Sequence, residues 1–233
     1  MNASLQLPQL WHLLPIAQVG QTSIKDGGQA VQLLILIGAL SIIPALLFTV
    51  TGFTRILIVL GFIRTGLGTQ TAPPNQVLVG IALFLTIFVM GPTFSQVEKN
   101  AVTPLLNNQI SVQTAFKRGE EPMREFMFRQ TRDRDLALFV KMAKLDRPKT
   151  RADIPTRVLI PSFILSELKT AFQIGFLIFL PFLVIDLVVS STLMSMGMVM
   201  LPPAFISLPF KILLFVLVDG WTLITQSLVE SFH

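Results

Sequence analysis

Long uncharged stretches constrain this chain more than any other feature. No charged residue lies between Gly27 and Thr54, and none between Thr65 and Val97. Within the first, "VQLLILIGALSIIPALLFTVTGF" (31–53) is long enough to cross a bilayer as a helix, which takes roughly 20 apolar residues. Pro44 is expected to kink it, which is tolerated where neighbours satisfy the freed carbonyl. The second stretch has "VLVGIALFLTIFVMG" (77–91) as its apolar centre. Composition agrees with a membrane protein: 52% of the 233 residues are hydrophobic and 13% charged, against about a quarter charged in a soluble domain.

The placement of charge divides the chain further. Residues 98–157 hold 13 basic and 8 acidic residues and so carry the whole net charge of +5. Between the two apolar stretches, "RILIVLGFIRTGLGTQTAPPNQ" is bracketed by Arg55 and Arg64 and ends after Pro73-Pro74. It reads as the basic turn of a helical hairpin over 29–97, and short Arg-bearing loops favour the cytoplasmic side. Residues 98–157 then fall on the opposite side. The positive charge there is no obstacle, because segments near 60 residues translocate largely regardless of charge.

In that segment "GEEPMREFMFRQTRDRDLALFVKMAK" reads as two amphipathic helices. Glu120 and Glu121 before Pro122 suit a first helical turn. Asp133 suits the cap of a second helix, with Leu136, Phe139, Val140 and Ala143 at i, i+3, i+4 and i+7. Residues 158–233 are apolar again: "TAFQIGFLIFLPFLVI" (170–185) runs to Asp186, and 24 uncharged residues lead on to Lys211. The expected fold is therefore an all-α membrane protein. Four apolar spans form two hairpins (29–97 and 158–233) around a small helical extracytoplasmic domain (98–157). Residues 1–28, with no basic residue before Lys25 and breaks at Pro8 and Pro15, read as a flexible leader or a weak signal-like segment.

Charges inside apolar spans are costly, and they pair or face water. Glu167 and Lys169 are two apart and cannot meet on a helix. Lys211 and Asp219 are eight apart, about 12 Å along a helix axis. Their partners must come from other helices. If 191–203 turns the second hairpin, Asp186 and Lys211 lie at similar depth and can pair, although proline breaks could let Glu167 reach the Lys211 of a neighbour instead. The remaining alternative is that these charges snorkel to the interface with no specific partner.

The turn itself is unusual. In "STLMSMGMVMLPP" (191–203), Met194, Met196, Met198 and Met200 stand at every second position. Gly197 and Pro202-Pro203 oppose a continuous helix, and in an extended segment a period of two lines all four on one side. Three readings remain from the residues: core filler, a Cu(I) site of soft thioethers, or a deformable gasket, since the unbranched methionine repacks easily. Catalysis finds no support, because no nucleophile elbow, zinc-protease motif or Walker lysine motif is present. There is no cysteine, and the two histidines, His12 and His233, sit at opposite ends. No catalytic or cofactor-binding site and no Cys- or His-based metal site is expected on that basis, and no nucleic-acid surface.

Taken together, "TGFTRILIVLGFIRTGLGTQTAPPNQVLVGIALFLTIFVMGP" (51–92), "SELKTAFQIGFLIFLPFLVIDLVVSSTLMSMGMVMLPP" (166–203) and "LPFKILLFVLVDGW" (208–221) resemble the FliP family, export-gate proteins of bacterial type III secretion. "MREFMFRQTR" (123–132) resembles the flagellar branch rather than the injectisome (SctR) branch. The resemblance implies a pore-forming subunit of the flagellar export gate in the inner membrane, at the basal body, conducting unfolded flagellar proteins. Five copies would assemble with FliQ and FliR, beside FlhB and FlhA, and this subunit would hydrolyse nothing. The family's Met-rich constriction would correspond to Met194, Met196, Met198, Val199 and Met200, with Val199 departing from an unbroken methionine run. The resemblance also favours Glu167 and Lys211 holding neighbouring subunits in register, with Asp186 the competing acid. A copper permease and the injectisome subunit are the alternatives.

Overall fold

The computed structural model describes residues 47–69, 71–145, 148, 150–198 and 200–232, together with Leu34, Ile37, Gly38, Ser41 and Ala45. Two compact units are present, Met1–Pro44 and Ala45–His233. In the first, the described positions are helical, and the Ser41 hydroxyl donates to the Ile37 carbonyl at 2.9 Å. The leader 1–28, the kink at Pro44 and Val199 lie outside the described residues.

In the second unit every regular element among the described residues is helical. The chain is helical from Leu47 to Val50, breaks at Thr51–Gly52, and enters α1 (Phe53–Leu67). The break fits the packing, because a Cβ on Gly52 would sit 2.5 Å from the Phe232 ring. The expected basic turn after Arg55 is thus a helix. Ile56, Val59, Leu60, Ile63 and Leu67 repeat at helical spacing and are all buried, and burying such a stripe outweighs the charges at its ends. Gly68 stops α1 in the left-handed conformation (φ 78°), its N–H donating to the Thr65 carbonyl at 3.0 Å.

Pro74 precedes α2 (Asn75–Val97), which widens into a π-type turn at Glu98–Val102 and continues as α3 (Thr103–Leu106). Pro104 has no N–H, and its ring would meet the carbonyl four residues back, so the wider turn relieves the ladder there. Ser111 caps α4 (Val112–Gln130), accepting from the Thr114 N–H at 3.3 Å. Pro122 therefore lies inside α4 rather than in a first turn, because the cap stands eleven residues earlier. The N-cap of α5 (Asp133–Met142) is Arg132, so Asp133 is the first helical residue rather than the cap. With Asp135 it still places negative charge at the positive end of that helix. A capping box of Thr150 and Asp153 then forms a short 3-10 turn.

The longest element is α6 (Thr156–Ser195), 40 residues with Pro161 and Pro181 inside it. At 1.5 Å per residue it is about 60 Å long, twice a hydrocarbon core of roughly 30 Å. Its first half is buried through Val158, Leu159, Phe163, Ser166, Glu167 and Ala171, whereas beyond Gly175 only Phe182 and Leu193 are. α1 runs alongside that first half. A Cβ on Gly175 would sit 2.3 Å from the Phe62 ring and one on Gly66 2.7 Å from Phe182, so the two helices interlock ring into glycine. Phe126, Met127 and Phe128 of α4 join the same core.

The chain returns through α7 (Pro203–Leu217) and α8 (Gly220–Glu230), whose axes bend by 65°. Asn75–Leu106 and Thr156–Ser195 are each long and apolar enough to cross a membrane, and the bent α7–α8 pair adds a third if taken as one span.

Candidate functional site

Arg55, in the first turn of α1, lies at the junction of four segments and is 2% exposed. Its Nε donates to Glu167 of α6 at 3.0 Å, and its Nη2 reaches the other oxygen of the same carboxylate. Nη2 also donates to the Gln130 side chain at 2.9 Å, and Nη1 to the carbonyl and hydroxyl of Ser231 at 2.6 and 3.0 Å. All five guanidinium N–H groups are used, the condition under which a buried arginine is tolerated. The Phe232 ring lies over the cation, 3.9 Å from centroid to guanidinium carbon, and the Phe232 carbonyl accepts from Gln130 at 2.8 Å. One side chain thus joins the start of α1, the end of α4, the first half of α6 and the turn after α8.

A second polar seam fastens α5 to α6. Ser166, Lys169, Thr170 and Gln173 follow i, i+3, i+4, i+7 and face α5. Asp135 accepts from Ser166 at 2.8 Å and pairs with Lys169. The Arg132 N–H donates to Ser166 at 3.1 Å, and its guanidinium reaches Thr170 and Gln173 at 3.0 and 2.5 Å. Burial raises the Asp135 pKa, but the bonds from Lys169 and Ser166 and the charges of Lys169 and Arg132 outweigh it, so it sits below its ordinary value.

The third pair closes the far end. Lys211 of α7 donates to Asp186 of α6 at 2.6 Å, and the Ser207 hydroxyl donates to the other Asp186 oxygen at 2.6 Å. Lys211 is buried, and a Cβ on Gly68, at the end of α1, would lie 3.6 Å from its Nζ. A cation suits a helix C-terminus.

Between α6 and α7 lies the methionine turn. Met194 is still helical, Met196 is the C-cap, and Gly197 takes φ 77°. Met198 N–H donates to the Leu193 carbonyl at 3.0 Å and Gly197 N–H to Met194 at 3.0 Å, the paired bonds of a Schellman ending. The expected extended row is thus corrected: a left-handed glycine lets the chain close the helix first. Met194, Met196 and Met200 are exposed and Met198 half-buried.

Within the chain, Asp186 meets Lys211, but Glu167 does not; Arg55 takes it. Arg55 is not a hairpin-tip residue, while Arg64, in the last turn of α1, donates to Asn75. The sequence reading missed Arg55 as a buried partner, although it shares a helical face with Val59 and Ile63. It also missed Gln130, Ser231, Ser207 and the Asp135–Lys169 pair. The polar stripe on α6 was a signal for the last of these. No cluster of three His, Cys, Asp or Glu among the described residues could hold a metal ion.

Comparison with known proteins covers most of this chain. The FliP family model matches residues 36–228. Flagellar biosynthetic protein FliP of Bacillus subtilis is 61% identical over 208 residues, 89% of this chain and 94% of the relative's. The proteins of the same name from Pectobacterium carotovorum and Caulobacter vibrioides are each 54% identical, covering 97% and 95% of this chain and 88% and 86% of their own. On this match the chain belongs to the FliP family.

Proposed function

We propose that the chain is a core pore-forming subunit of the flagellar protein-export gate, conducting unfolded flagellar proteins across the bacterial inner membrane at the basal body. The observation that carries this reading is the family match across residues 36–228, to relatives named for flagellar biosynthesis. The bare apolar faces of α6 and α7 support it, with Phe176, Leu180, Val184, Leu213 and Val216 all exposed. Apolar surface on that scale marks a membrane or subunit contact. The chain would act as a homo-oligomer, a pentamer by resemblance, with FliQ and FliR and beside FlhB and FlhA. Four spans in two hairpins would put 98–157 on the extracytoplasmic side, and the subunit would perform no bond chemistry.

In this reading Met194, Met196, Met198, Val199 and Met200 form a gasket. Met194, Met196 and Met200 are exposed around the end of α6, and repeated around a ring such thioethers would meet at the centre. For Glu167 to hold the Lys211 of a neighbour, both would have to exchange the within-chain partners Arg55 and Asp186. The test is replacement of Met196, Met198 and Met200 by Ala in a motile bacterium carrying this gene. The expected result is ion leak and slowed growth with export at least partly retained. Unchanged leak with altered copper tolerance would sink the gasket, and retained motility after complete deletion would sink the export role.

A further inference from the structure

The predominantly apolar segments 45–97 and 158–232 contain four cations, Arg55, Arg64, Lys169 and Lys211, and four acids, Glu167, Asp186, Asp219 and Glu230. Arg55, Lys169 and Lys211 are bonded to Glu167, Asp135 and Asp186, and Arg64 to Asn75. Glu230 accepts from Gln226 at 2.7 Å. Among the described residues, Asp219 is the acid of this set whose carboxylate has no partner.

Its position is held by the fold. Asp219 sits at the 65° break between α7 and α8 in the left-handed conformation, φ 50° and ψ 54°. Asp tolerates that conformation better than most residues. Its N–H donates to Val216 at 3.1 Å and its carbonyl accepts from Leu223 at 3.2 Å, so the backbone is satisfied. An N-cap Asp ordinarily turns its carboxylate onto the N–H groups of its own helix. This one makes no such bond and stays exposed. On either side of it in the chain, Val216, Leu217, Val218, Trp221 and Leu223 are each more than 40% exposed. A bare carboxylate flanked along the chain by bare apolar side chains is complementary to an apolar surface that carries a single positive charge. In lipid, such a charge pairs with a counter-charge from a neighbouring helix.

We propose that the Val216–Leu223 face docks an apolar membrane helix of another polypeptide, carrying one Lys or Arg within its span, and that Asp219 binds that cation. The inference needs the chain to sit in a membrane but not the export role, so the two can fail separately. Trp221, two residues from Asp219, supplies the probe. In full-length chain with Trp11→Phe it is the sole tryptophan, since the chain has two. The chain in detergent micelles is titrated with a synthetic Leu/Ala-rich membrane helix bearing a terminal quencher and a central Lys, or Met in its place. The Lys helix is expected to quench Trp221 with a midpoint about tenfold lower, the size of one good polar contact between helices in lipid. Asp219→Asn, which suits the same backbone, should abolish the difference, and Asp219→Lys should transfer the preference to a helix with a central Glu. Equal midpoints for the two helices on the unsubstituted face would overturn the proposal, as would a preference that survives Asp219→Asn. Sedimentation in the same micelles covers a second copy: self-association lost with both Asp219→Asn and Arg64→Gln would assign the face to this chain's own Arg64, and overturn it too.

Discussion

Replacing Arg55 with Met tests how the four segments are joined. Met keeps much of the apolar volume of the arginine stem and removes its charge and all five donors. Glu167, 1% exposed, would then keep its carboxylate with no cation within reach. Gln130 would lose one donor and Ser231 two. Removing one partner of a buried ion pair costs about 3–5 kcal/mol, mostly the stranded charge, and the lost hydrogen bonds overlap with that figure rather than add to it. For a chain of this length each kcal/mol moves the midpoint by roughly 2–4 °C, so the purified protein in mild detergent should melt on the order of 10 °C lower. The control is Arg55→Met with Glu167→Met, which removes both charges. Replacing a buried pair by apolar residues is often neutral or better, so the double variant should recover at least half of the loss, short of full recovery because Ser231 still lacks its donor. Arg55→Lys, which keeps the charge but not the fork, should fall between. A double variant as unstable as Arg55→Met alone would refute the stranded-charge account.

Further outcomes follow from single contacts. Asp135 sits below its ordinary carboxylate value, so its contribution is present above about pH 3.9 and is lost as pH falls through the depressed native value. Asp135→Asn should therefore lower stability at neutral pH and flatten its acid limb, read from melting at pH 3, 5 and 7. Gly175→Val drives a side chain into the Phe62 ring, 2.3 Å from the first added carbon. Overpacking of this kind costs about 1–3 kcal/mol, and Phe62→Leu in the same chain should restore part of the melting loss. Ser111→Ala removes the cap of α4 and should cost about 1 kcal/mol, visible as faster hydrogen exchange at Thr114.

Much of this architecture is legible in the amino-acid sequence. Charge-free runs such as 65–97 and 170–185 identify membrane-length helices because hydrocarbon excludes charge wherever the helix lies. The Asp186–Lys211 proximity was legible too, since a turn centred near Met198 puts both at one depth. The polar stripe Ser166, Lys169, Thr170 and Gln173 was present as a pattern, but a pattern names no partner. Arg55 was misread because a lone arginine between apolar segments looks the same whether it ends a helix at water or begins one inside a core.

What sequence alone determined is the all-helical class of the chain, its long apolar runs and the family. Gly68, Ser111 and Gly197 act through their own backbone or cap geometry, which depends on the residue and its immediate neighbours. Tertiary structure decided which charge meets which. Arg55 is paired with Glu167, 112 positions away, and with Ser231, 176 positions away, and only the crossing of α1, α4, α6 and the turn after α8 brings them together. It also decided that Asp219 stays unpaired at the bend. Local propensity acts over a turn or two, whereas the desolvation of a charge depends on every segment packed around it.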